Sequence, residues 1–215
     1  MTDPSVGHLQ PYLERLPLIA ILRGVEAHEA VAIGHALVDA GFAIIEVPLH
    51  SPNALDSIRR LHDVFGTDVL LGAGTVMTPA QVRDVAAAGG RLIVMPHSDA
   101  DVMGAATAEA LACIPGIATP TEGFSALASG ADGLKLFPAE LLTPTVLRAL
   151  RAVFPSDTRF FPVGGITPTS MGDYVAAGAT GFGLGSALYR RGDDPAQVSA
   201  NAKAFVTAWS ALTRA

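Results

Sequence analysis

VLLGAGTVMTPAQVRDVAAAGGRLIVM, residues 69–95, contains one complete copy of the unit that decides the fold. VLLGA is an apolar run of strand length, too short for a buried helix, and glycine and threonine follow it. TPAQVRDVAAAGG opens on a Thr-Pro cap, continues as an alanine-rich amphipathic segment and stops at paired glycines, as a helix does. LIVM then begins the next apolar run. Strand, capped helix, strand is a βαβ unit. The runs are nearly continuous in apolar residues rather than alternating, so they read as parallel strands covered by helices.

The same unit recurs on both sides. Further short runs lie at 18–22 (LIAIL), 43–47 (AIIEV), 111–114 (LACI), 133–137 (GLKLF), 159–163 (RFFPV) and 181–184 (GFGL). Between them, HEAVAIGHALVDAG (28–41), LTPTVLRALRAVFP (142–155) and TPTSMGDYVAAGA (167–179) read as helices. Eight strands alternating with helices predict one α/β domain over residues 1–215, a (β/α)₈ TIM barrel. YLERL (12–16) predicts an N-terminal helix capping the barrel bottom, and NAKAFVTAWSAL (201–212) the last barrel helix. An open doubly wound sheet would need a glycine-rich nucleotide loop after its first strand, and LRGVEAHEA supplies none.

Composition narrows the function classes. Half of the 215 residues are hydrophobic, and the net charge is −6 with a pI of about 5.4. That balance argues against nucleic-acid and membrane-surface binding, which need a basic face, but allows small anionic ligands. Cys113 is the single cysteine, so neither an internal disulfide nor a zinc-ligand cysteine cluster is expected, and a cytoplasmic setting fits. The first residues lack a signal-peptide pattern, and no apolar stretch approaches the roughly 18 residues of a membrane span.

In such barrels function gathers at the C-terminal strand ends. There the sequence places Arg23 and Gly24, then Glu46 with His50 and Ser51, Thr75, Pro96 with His97, Pro115 with Gly116, and Lys135. Lys135 is one of only two lysines in the chain, set between Leu134, Leu136 and Phe137. A buried ammonium is costly and responds by shedding its proton, which leaves a nucleophile. Glu46, between Ile45 and Val47, poses the complementary problem. A buried ion pair serving packing alone is the bland reading of both. Gly164 and Gly165 in VGGITP, with Gly185 and Ser186 in GLGSALY, put bare backbone N–H groups after the last two strands, where such barrels bind phosphate. His50 and His97, near Asp99 and Asp101, are too few and too scattered to predict a metal site. His8, His28, His35 and His62 read as surface or packing residues, and Arg59-Arg60 and Arg190-Arg191 as solvated faces.

VPLHSP, GAGTV, KLFPAE and VGGITP, in this order, resemble the class I aldolases that cleave 2-keto-3-deoxy-6-phospho sugar acids. The resemblance runs from PLIAILRG to GLGSALY. It implies that Lys135 forms a Schiff base and that Glu46 is the general acid/base. It implies Arg23 at the anionic substrate, Thr75 and Phe137 at the pyruvate end, and Gly164, Gly165, Gly185 and Ser186 at the phosphate. No metal or other cofactor is implied; the substrate would be a phosphorylated keto acid and the assembly a homotrimer. His50 stands where enzymes acting on the gluconate epimer commonly have arginine, and Val163 where they have threonine. Both departures resemble the branch acting on the galactonate epimer, with His50, Pro96 and Val163 at the substrate. The gluconate epimer, 4-hydroxy-2-oxoglutarate and a non-catalytic sugar-phosphate sensor stay open as alternatives.

Overall fold

The computed structural model describes residues 6–213. Helix α1 (Val6–Arg15) is followed by β1 (Leu18–Ile21), α2 (Ala30–Asp39), β2 (Ile44–Pro48), α3 (Ala54–Phe65) and β3 (Leu70–Gly74). Then come α4 (Pro79–Ala87), β4 (Leu92–Val94), α5 (Ala100–Ala108), β5 (Ala112–Ile114) and β6 (Gly116–Ile117). The chain continues through α6 (Pro120–Ala128), β7 (Leu134–Leu136), α7 (Pro144–Arg151), β8 (Phe160–Pro162), α8 (Met171–Ala176), β9 (Phe182–Leu184) and α9 (Pro195–Thr213). The eight expected runs are all strands, but the fifth barrel position is made of two pieces. Pro115, read from sequence as the residue beyond that strand, instead interrupts it. Proline has no N–H for the ladder, yet its carbonyl still accepts from Lys135 N at 2.9 Å.

All strand pairs are parallel. β5-β4-β3-β2-β1-β9 form one arc and β6-β7-β8 the other. The chain itself joins the arcs at Pro115, and a parallel bridge between Val163 and Gly183 joins them on the far side. The result is a closed (β/α)₈ barrel.

Strand alternation divides the core. Leu18, Ala20, Ile45, Val47, Leu71, Leu134 and Leu136 face outward and pack under the helices. Ile19, Ile44, Leu70, Leu92, Ile114 and Phe161 face inward and fill the lower barrel. Both faces are dry, which is why the strands read as unbroken apolar runs. Helix α1 closes the floor: Leu9, Tyr12 and Leu13 belong to the inward cluster. The Tyr12 hydroxyl donates to Thr67 O at 2.6 Å, and Arg91 donates to both the Tyr12 hydroxyl (3.0 Å) and Val69 O (2.8 Å).

The helix starts follow their caps. Thr78 Oγ1 accepts from Gln81 N at 3.3 Å, with Pro79 in the first turn. Thr119 and Glu122 form a reciprocal capping box on α6. Two helix expectations shift in detail. His28 lies in the turn before α2 rather than on it, and α9 begins at Pro195, ahead of the segment read from sequence. The side chain of His8 lies outside the described residues.

Candidate active site

The inward parity of β2 runs from Ile44 to Glu46, so the carboxylate points into the barrel one layer above the apolar fill. On β7 the outward pair Leu134 and Leu136 forces Lys135 inward, in register with Phe161 and Gly116. Both ionisable side chains are nearly dry, Glu46 at 2% and Lys135 at 6% exposure. Among the described residues no ion pair of 4.0 Å or less joins them. They act on each other through the field across the barrel mouth. The Lys135 Nζ sits 4.7 Å from the centroid of the Phe137 ring, which covers it on the cleft side.

The electrostatics push the two groups toward neutrality. Burial raises the Glu46 pKa from 4.5 to about 7, against Lys135, Arg23 and a backbone hydrogen bond from Gly74, which all lower it. Burial lowers the Lys135 pKa; Glu46 raises it in part, and Arg23 lowers it further. A carboxylate raised to about 7 is suited to acid–base work near neutral pH, and a lowered amine pKa favours the neutral nucleophile. Glu46 Oε2 is buried without a hydrogen-bond partner. A buried orphan oxygen is expensive in a merely structural pair and useful where a substrate hydroxyl will meet it.

Room for that carboxylate is made by Gly74. A side chain at this position would collide with both Glu46 oxygens. The Gly74 backbone lies outside the left-handed region, so alanine meets no backbone strain there. Gly74→Ala is therefore expected to keep the fold, displace the carboxylate and lower kcat about 100-fold, the loss typical of an ångström-scale misplacement. Turnover and a thermal melt measured together check this; wild-type turnover in a folded variant would show that the carboxylate's position is irrelevant. Next to it, Thr75 is held at φ +56°. A left-handed conformation costs a residue of this type about 1–3 kcal/mol, and such outliers concentrate at working sites.

A cleft of about 650 Å³ opens beside Phe137 and Arg23; Lys135 and Glu46 do not themselves line it, but Phe137 covers the amine and Arg23 acts on both groups. Arg23, Phe137, Val163, Gly164, Gly165, Gly185 and Ser186 all line it. Gly164 and Gly165 have φ of +118° and +62°, where a side chain would be strained and, at Gly164, would meet the Glu140 carboxylate. Val163 packs its methyls into the space left by Gly183.

His50, Thr75 and Pro96 lie at their strand ends but not in the wall of this cleft. His50 is exposed; burial of its ring and then the charge of Arg23 lower its pKa, which places it within reach of the Arg23 field. Pro96 abuts the backbone of Gly116, against the broken strand. His97 stays separate from His50, and among the described residues no three His, Cys, Asp or Glu side chains gather as metal ligands. Arg59 and Arg60 lie on an exposed face of α3, paired with Asp56. Arg190 and Arg191 are exposed, as the solvated-face reading has it, but both also line the cleft. Their position directly after GLGSALY, beyond the last strand, was the available signal. Glu140 and Thr167 in the cleft wall were likewise missed.

Comparison with known proteins agrees with this geometry. The family described as "Aldolase: KDPG and KHG aldolase" matches residues 9–200. The 2-dehydro-3-deoxy-6-phosphogalactonate aldolase of Escherichia coli (strain K12) is 45% identical over 195 residues, covering 91% of this chain and 95% of that protein. A solved structure described as native KDPGal superposes with a TM-score of 0.92 at 44% identity, covering 94% of this chain and 98% of the other. A KDPG aldolase from Legionella pneumophila, solved with pyruvate captured as a covalent carbinolamine, superposes with a TM-score of 0.80 at 29% identity and 98% coverage of each chain. The barrel is that of the class I aldolases, enzymes that work through a lysine Schiff base. The chain belongs to the KDPG and KHG aldolase family.

Proposed function

We propose that this protein cleaves 2-dehydro-3-deoxy-6-phosphogalactonate to pyruvate and D-glyceraldehyde 3-phosphate. The observation that carries the reading is the buried Lys135–Glu46 arrangement, linked through Phe137 and Arg23 to a cleft whose wall has Gly164, Gly165, Gly185 and Ser186 available to a phosphate. The neutral Lys135 amine attacks the C2 ketone, and loss of water gives an iminium. Glu46, directly or through one water, takes the C4 hydroxyl proton as the C3–C4 bond breaks. The electron pair of that bond collects as an enamine, and the aldehyde departs. A proton returns to C3, and hydrolysis frees pyruvate and the amine. The iminium supplies the electron sink. Anchoring the phosphate between the last two strands holds C2 against the amine. Arg23, at the cleft edge and within the field of both catalytic groups, faces the substrate carboxylate. The reading carries with it a cytoplasmic homotrimer acting on this small phosphorylated acid.

Val163 supports the choice of epimer. It offers methyls, not a hydroxyl, to the cleft, so a C4 hydroxyl in the gluconate configuration finds no partner there. The test is the ratio of kcat/KM for the two purified epimers. Wild type should favour the galactonate acid, and Val163→Thr should move the ratio toward the gluconate acid by about tenfold, the value of one added hydrogen bond. A wild type preferring the gluconate acid would refute the substrate assignment, and an unchanged ratio in the variant would remove Val163 as its cause.

A further inference from the structure

The cleft wall contains three arginines, Arg23, Arg190 and Arg191, against a substrate that carries a carboxylate and a phosphate. Arg191 is already engaged: its Nη2 lies 2.7 Å from Glu26 Oε1, and its stem packs over Gly24. Arg23 stands at the Glu46–Lys135 end. Arg190 differs from both. It lies on the turn after β9, where Leu188 N and Tyr189 N both donate to Gly185 O at 2.8 and 3.0 Å. Buried Tyr189 pins that turn through its hydroxyl to Glu29 at 2.9 Å. Arg190 Nε donates to Ser186 O at 2.9 Å, and its backbone N to Asp193 Oδ2 at 2.8 Å. The guanidinium is thus folded back along the Gly185–Ser186 loop. Among the described residues no ion pair engages it, and its terminal nitrogens donate no hydrogen bond.

We propose that Arg190 is the cationic arm of the phosphate subsite and sets the preference for phosphorylated over unphosphorylated keto acids. The inference rests on the aldolase reading above. Backbone N–H groups alone would leave a phosphate dianion beside the Glu140 carboxylate, which shares this wall. A fork already oriented by Ser186 offers the missing charge with little ordering cost.

The test compares kcat and KM for the phosphorylated substrate and for the same acid without phosphate. Arg190→Gln is expected to raise KM for the phosphorylated acid about ten- to a hundredfold, with kcat changed less than about threefold and the unphosphorylated acid unaffected. Arg190→Lys should recover part of the loss. Lys203→Gln removes the same charge from the exposed side of α9 and should leave both substrates as in wild type. Equal losses on the two acids would mark Arg190 as structural and overturn the proposal, as would an unchanged preference in Arg190→Gln. A wild type with no preference for the phosphorylated acid would take the aldolase substrate reading down with it.

Discussion

Lys135→Ala is expected to abolish cleavage and, with it, the borohydride-stable adduct expected of the wild-type protein with pyruvate. The expected loss in kcat is at least about 10⁴-fold, since removal of a covalent nucleophile leaves only binding and positioning. Lys203, the other lysine, stands exposed on α9 and cannot take its place in the barrel. Mass spectrometry after pyruvate and borohydride, with the modified peptide mapped to residues 133–140, reads the result directly. The variant should stay folded, because among the described residues no ion pair of 4.0 Å or less is broken and Glu46, its pKa already raised to about 7 by burial, can take up a proton when the amine is gone. A thermal melt confirms that inactivity is chemical. Trapping at wild-type yield in Lys135→Ala would end the Schiff-base assignment.

Glu46→Gln separates the two halves of the chemistry. The amide keeps the shape and the Gly74 contact but cannot carry a proton. The adduct with pyruvate should still form, more slowly, while kcat falls about 10²- to 10⁴-fold, the usual worth of a positioned general base. The pH profile gives a second readout. Glu46 must be ionised to take the C4 proton, and burial raises its pKa to about 7. The wild-type rate therefore climbs with pH through about 7. The lowered pKa of Lys135 acts in the same direction, because the amine must be neutral to attack. In Glu46→Gln the step near 7 should vanish and only the limb due to the amine remain. Undiminished turnover with the same profile would remove Glu46 from the scheme.

What the sequence disclosed depended on contrast. Lys135 and Glu46 were visible because a charge inside GLKLF or AIIEV is chemically out of place, and strand parity then fixed their direction. The barrel was visible because both faces of every strand are dry. Pro115 was not read as an interruption, since IPGI looks the same whether a strand ends or breaks. The decision lies in the Lys135 N–H reaching the proline carbonyl. Arg190 was hidden for the opposite reason to Lys135. An arginine pair near GDD on a polar stretch looks solvated, and only the tertiary course of the β9 turn brings it to the cleft. Gly74 was hidden because a missing side chain matters only through its neighbour, here the Glu46 carboxylate on the adjacent strand, two positions off Gly74's own register partner Pro48.

The plug made by Leu9, Tyr12 and Leu13 has a kinetic corollary. With its base stoppered, the barrel is a cul-de-sac, and molecules leave in the reverse order of their depth. On the proposed chemistry, the aldehyde fragment, held near the rim, is expected to exit before the pyruvate fragment tethered at the blind end. Sequential product release is the expected result, with free pyruvate competing with the incoming substrate for the same vacated enzyme.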